Sequence, residues 1–128
     1  MTAQVRSTAE PADRARSEAL AREIFASIAN RWALLIINTL GEDTLRFTEV
    51  RAAVEGISHK MLTQTLRSLE RDGVVTRLVH PVVPPRVDYS LTEAGLVLRA
   101  TINEMCTWTH RYLEHIVEAR HRFDTLQR

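Results

Sequence analysis

Residues 56–94, GISHKMLTQTLRSLERDGVVTRLVHPVVPPRVDYSLTEA, leave a folding chain few choices, because start and stop signals for four elements fall within them in a fixed order. Ser58 is a good N-cap residue, able to accept a hydrogen bond from a free backbone N–H of a first helical turn. Ile57 and Leu62 flank it at the two positions of a hydrophobic staple. Leu62, Leu66 and Leu69 follow at i, i+4 and i+7, a narrow apolar stripe that must face a core. Gly73 then supplies the left-handed residue on which helices commonly end. From Val74 to Val79 the chain is mostly apolar or β-branched, and residues 86–91 (RVDYSL) alternate polar and apolar as a half-buried strand does. Between the two, Pro81, Pro84 and Pro85 fix φ and stiffen the connection.

The front of that helix carries the chemistry. Opposite the leucine stripe stand His59, Lys60, Thr63, Gln64, Arg67 and Arg71, with no carboxylate among them. Side chains of this kind can donate to guanine, adenine or phosphate oxygens in a DNA major groove. Helix, strand, stiff loop and strand is the plan of a winged helix-turn-helix. The tight turn Glu55-Gly56-Ile57 joins the Ser58 helix to a preceding one at roughly Phe47–Val54, as the motif requires. The expected fold is therefore mainly α with a small β wing. Net charge over the whole chain is only +1. Between Ser58 and Arg86, however, Lys60, Arg67, Arg71, Arg77 and Arg86 outnumber Glu70 and Asp72, leaving +3, while Met1–Asn30 and the stretch from Glu93 are each neutral. Basicity concentrated on one unit is the electrostatic footprint of a nucleic-acid binder. The DNA-binding set expected from these arguments is Ser58, His59, Lys60, Thr63, Gln64, Arg67, Arg71, Arg77 and Arg86. Arg31 joins it because it opens a helix whose first N–H groups can meet a phosphate.

The segments WALLIINTL (32–40), RFTEV (46–50), GISHKMLTQTLRSLERDGVVTR (56–77) and VPPRVDYSLTEAG (83–95) closely resemble the HxlR-type family of bacterial winged-helix transcription regulators, in that family's order and spacing. Together they cover nearly two fifths of the chain. The resemblance implies a homodimeric DNA-binding regulator, repressor or activator, with little besides the winged domain and its dimerising helices. Oxidant-sensing members usually carry a cysteine shortly before the tryptophan that stands here at Trp32. Residues 23–31 contain none.

At 128 residues there is room for one domain with an ordinary core. Met1 to about Arg16 reads as a polar, flexible start, and 17–128 as a single winged-helix DNA-binding and dimerisation domain. The N-terminus lacks the apolar run of a secretory signal, and Trp32–Ile37 is far too short to cross a bilayer. One cysteine excludes an internal disulfide framework. A cytoplasmic protein without a membrane partner or cofactor is expected.

Helices should flank the winged unit on both sides. Leu20, Ile24 and Ile28 form an i, i+4, i+8 face on the first. On the last, opened by Thr92 with Gly95 as a weak point, Leu98, Ile102, Met105, Thr109, Tyr112 and Ile116 recur at spacings of three and four, close to a coiled-coil seam. With Leu34, Leu35, Leu62, Leu66 and Leu69 filling the domain core, these two faces (Leu20, Ile24, Ile28; Ile102, Met105, Thr109, Tyr112, Ile116) are expected to meet their mates in a homodimer. Cys106, His110 and Glu114 stand one helical turn apart, so a metal-responsive regulator is one alternative. A Cys–His nucleophile or thiol switch is another, against the ordinary expectation of a buried structural cysteine. The alternative from a different class is a winged-helix protein-interaction module, which would expose apolar or acidic groups where this chain offers Arg, Lys, Thr and Gln. No Ser-His-Asp set, phosphate-cradling glycine loop or carboxylate pair suggests an enzyme. An effector, small-molecule or redox, is not specified by these residues.

Overall fold

A computed structural model describes residues 10–127. Its elements are α1 (Pro11–Ile28), α2 (Arg31–Leu40), β1 (Leu45–Arg46), α3 (Phe47–Ala53), α4 (His59–Arg71), β2 (Val75–His80), β3 (Arg86–Leu91), α5 (Glu93–Arg111) and α6 (Leu113–Leu126). The strands form one antiparallel sheet in the order β1-β3-β2, with Leu45 opposite Tyr89, Arg46 opposite Asp88, Leu78 opposite Asp88 and His80 opposite Arg86. This is the winged helix-turn-helix, mainly helical with a small sheet.

Local signals set most boundaries. Ser58 Oγ accepts from the Met61 N–H at 3.0 Å, and Ile57 and Leu62 both lie in the core, so cap and staple act together. At the other end of α4, Gly73 has φ +76°, its N–H donates to Glu70 O at 3.0 Å, and the Val74 N–H reaches back to Leu69 O at 2.9 Å. These are the paired bonds of a Schellman motif, with Val74 and Leu69 as its buried apolar contact. The core joins Ile36, Ile37 and Leu40 of α2 to Val50, Val54 and Ile57, to Leu62, Leu66 and Leu69 of α4, and to Val75 and Tyr89 of the sheet.

Several sequence expectations need correction. The first helix begins at Pro11 rather than near Ser17; a proline has no N–H to waste and its φ suits a first turn. Of the segment 1–16 expected to be a flexible start, residues 11–16 are helical, and residues 1–9 lie outside the described residues. Leu35 is exposed and Leu34 only half-buried, because α2 turns Ala33, Ile36, Ile37 and Leu40 inward instead. Ile102, read as part of a dimer seam, is buried in the chain's own core. The first half of α5 packs on the domain and only its second half stands clear. That helix ends, as its sequence suggests, at about Tyr112 (φ −106°, ψ 19°), and Ile116 lies on the next helix, α6.

Candidate nucleic-acid interface

Burial divides α4 cleanly. Leu62, Thr65, Leu66 and Leu69 are buried; His59, Lys60, Gln64, Arg67 and Arg71 are exposed and Thr63 is half-buried. Thr65 is reconciled with the core by donating its hydroxyl to Met61 O at 2.7 Å. Thr63 does the same to His59 O at 2.9 Å, which spends its proton and leaves its oxygen as an acceptor. The His59 ring packs against Phe47 of α3, centroids 4.8 Å apart, so the first residue of α4 is tied to the preceding helix. The side chains of Lys60, Gln64 and Arg67 carry no hydrogen bond or ion pair to other described residues, and their side-chain donors are free for a partner. Ser58 is spent on its cap.

The remaining basic residues are engaged in different ways. Arg77 on β2 pairs with Glu70 at 3.4 Å, both about two-fifths exposed, a surface pair worth little to stability. Together with Arg67 and Tyr89 they line a small cleft of about 210 Å³ beside α4. Arg31 stacks over the Trp32 ring at 4.6 Å, while Asn30 Oδ1 caps α2 by accepting from the Trp32 N–H at 2.7 Å. Burial nearby raises the Tyr89 hydroxyl above its ordinary range.

At the loop end of the wing strands lies a cluster of Asp88, Arg86 and His80. Asp88 is only 6% exposed. Arg86 donates to it twice, Nε to Oδ1 at 3.2 Å and Nη2 to Oδ2 at 3.3 Å, and His80 Nε2 lies 2.8 Å from Oδ2. The Arg86 hydrogen bonds hold the Asp88 carboxyl below the usual carboxylate range against the opposing effect of desolvation, with His80 assisting. A carboxyl with a depressed folded-state pKa stabilises fully above its unfolded value, and that contribution is lost as pH falls through the folded one. The contribution of this cluster to thermal melting should therefore be present in full, and independent of pH, around neutrality. An acid-side loss of stability should appear below the usual carboxylate range and shrink in Asp88→Asn; equal acid profiles for the two proteins would refute it. The available signal was the i, i+2 spacing of Arg86 and Asp88, but only the strand register adds His80.

The metal set weighed as an alternative does not assemble. Among the described residues no three His, Cys, Asp or Glu side chains are grouped to hold an ion, and the break at Tyr112 puts Glu114 on a different helix from Cys106 and His110. Cys106 is also exposed rather than buried. It lines an apolar groove of about 650 Å³ with Phe25 and Ile28 of α1, Met105 and Thr109 of α5, and Leu113 of α6. No helix among the described residues is long and apolar enough to cross a membrane.

Comparison with known proteins agrees with this architecture. A family model described as HxlR-like helix-turn-helix matches residues 27–117. The HTH-type transcriptional regulator YtfH of Escherichia coli K12, itself uncharacterized, is 38% identical over 99 residues, covering 77% of this chain and 79% of that one. The HTH-type transcriptional regulator YodB of Bacillus subtilis is 39% identical over 90 residues, 70% of this chain and 80% of YodB. The structure of reduced YodB superposes with a TM-score of 0.65 at 37% identity, covering 71% of this chain and 89% of that one. A buried leucine stripe behind an open polar front, a wing beside it, and relatives of this kind lead to one conclusion: the chain is a transcriptional regulator that belongs to the HxlR-like helix-turn-helix family.

Proposed function

We propose that this protein binds double-stranded DNA as a homodimer, with α4 in the major groove and the β2–β3 hairpin alongside, and that it represses transcription by occupying a palindromic operator. The observation that carries the reading is the front of α4, where Lys60, Gln64 and Arg67 stand exposed and unpaired on a helix whose back is fixed in the core. Ser58, His59, Thr63 and Arg71 border that front, Arg77 and Arg86 stand on the wing strands, and Arg31 opens α2. The exposed apolar side chains of α1, α5 and α6 supply the dimer surface. Two-fold symmetry would then set the recognition helices about one DNA turn apart, roughly 34 Å. No metal or cofactor enters this reading.

Selection of bound duplexes from a random pool, followed by sequencing, tests it. The expected product is an inverted repeat; enrichment of no sequence would overturn it. Bidentate Arg–guanine or Gln–adenine pairs discriminate against the wrong base by about 1–3 kcal/mol each. Arg67→Ala and Gln64→Ala should therefore weaken binding to the selected site and relax its base preference at one position per half-site. If both variants kept the affinity and preference of the parent, α4 would not be the reader.

A further inference from the structure

We propose that Asp88 is the positioning residue of the wing: it orients the Arg86 guanidinium so that its outer edge receives a DNA backbone phosphate. This rests on the reading of the protein as a DNA binder and names a residue that works through another. A carboxylate is a poor choice beside a polyanion, and a nearly buried one persists only when paired and hydrogen-bonded. Asp88 sits on the polar side of β3, where Arg86 is exposed and Ser90 half-buried, yet it is itself covered.

The geometry explains what the carboxylate does. Both oxygens are occupied, Oδ1 by Arg86 Nε, and Oδ2 by Arg86 Nη2 and by His80 from the facing strand. The guanidinium is thereby gripped along one edge, with His80 bracing the carboxylate from β2. Of the five N–H donors that a guanidinium carries in a fixed fork, two are spent on Asp88. The side chain is 46% exposed, so the opposite edge is open to a second acceptor. Arg86 also lines a groove of about 530 Å³ between the wing loop and the β1–α3 junction, whose other cation is Arg46, the residue opposite Asp88 in the sheet. Two arginines on one open groove, one of them held by a carboxylate behind it, suit a phosphodiester oxygen. A free arginine at a hairpin end would have to lose its rotamer freedom on binding, whereas the clamped one has already lost it.

The proposal predicts a sign opposite to that of simple electrostatics. Removing a negative charge near DNA should tighten binding; releasing Arg86 should loosen it. The test uses the full chain and a labelled random-sequence duplex of about 30 base pairs, since phosphate contacts are sequence-independent, titrated by fluorescence anisotropy over a series of KCl concentrations. Arg86→Ala should weaken binding and reduce the log–log salt slope by about one. Asp88→Asn should weaken it by roughly threefold to tenfold, as for the loss of about one phosphate contact. The double variant should bind no more weakly than Arg86→Ala alone. Binding by Asp88→Asn as tight as the parent or tighter, with Arg86→Ala still impaired, overturns the role of Asp88 and leaves the DNA-binding reading standing. Equal weakening by Asp88→Asn with and without Arg86 shows a purely structural carboxylate and overturns it too. Unchanged binding by Arg86→Ala removes the wing phosphate contact and the proposal with it.

Discussion

Gly95→Ala is expected to destabilise the protein by about 3 kcal/mol, a loss of roughly 10 °C in melting temperature for a domain of this size. The direction is not obvious, because alanine in an exposed helix ordinarily gains about 1 kcal/mol over glycine. Space decides it. A Cβ on Gly95 would overlap the Val74 carbonyl oxygen, far inside any real contact, and would also stand 3.2 Å from the Val74 carbonyl carbon and 3.3 Å from Leu91 Cβ. Nor can that carbonyl step aside cheaply. It accepts the Thr92 N–H at 3.0 Å, the Thr92 hydroxyl donates to the adjoining Gly73 carbonyl at 2.6 Å, and Thr92 in turn caps α5 by accepting from the Gly95 N–H at 3.0 Å. Val74 is the residue that closes the Schellman motif of α4, so a shift at Gly95 passes directly to the end of the proposed recognition helix. Calorimetry on the purified variant gives the answer, and a melting temperature equal to or above that of the parent would refute it.

Gly95 also shows where the sequence stops being informative. Read along the chain it is a weak point in a helix; only the approach of Val74, in the turn between α4 and β2, makes it obligatory. The features that were legible are those decided within a few residues, such as the Ser58 cap, the Ile57–Leu62 staple, the Gly73 stop and the proline-stiffened hairpin. Each sets a boundary by its own chemistry, and together they were enough to fix the winged unit and the polar front of α4. What was misread depends on contacts between distant segments. Along α5 Leu98, Ile102, Met105 and Thr109 follow one regular alternation of four and three, yet Ile102 enters the domain core while Met105 is 66% exposed. Periodicity reports that a face is apolar and not which surface covers it. Asp88 likewise is one polar position in an alternating strand, and only the register brings His80 across to it.

That division of α5 decides how a dimer should be tested. Ile102→Glu would place a charge in the folded core and unfold the chain, whatever its oligomeric state. Met105 and Leu113 are the informative positions, because both are largely exposed and both line the groove that Phe25 and Ile28 of α1 complete. Around them Trp108, Tyr112, Val117, Phe123 and Leu126 also lie open, and α6 has no buried residue. An apolar surface of this extent is a liability on a lone soluble domain, and a second copy of the chain brings the same surface to cover it. Met105→Glu combined with Leu113→Glu is expected to give a monomer by sedimentation at micromolar concentration. The helices of the winged unit should persist by circular dichroism, since neither side chain belongs to its core. A single winged unit with a handful of cationic contacts binds weakly, and joining two on one palindrome multiplies affinity by about a hundredfold or more. The double variant should therefore lose roughly that factor on the selected inverted repeat while binding random-sequence DNA weakly, as one unit does. A variant that stays dimeric, or a monomer that holds the repeat with undiminished affinity, would show that α1, α5 and α6 do not link the two DNA-reading units.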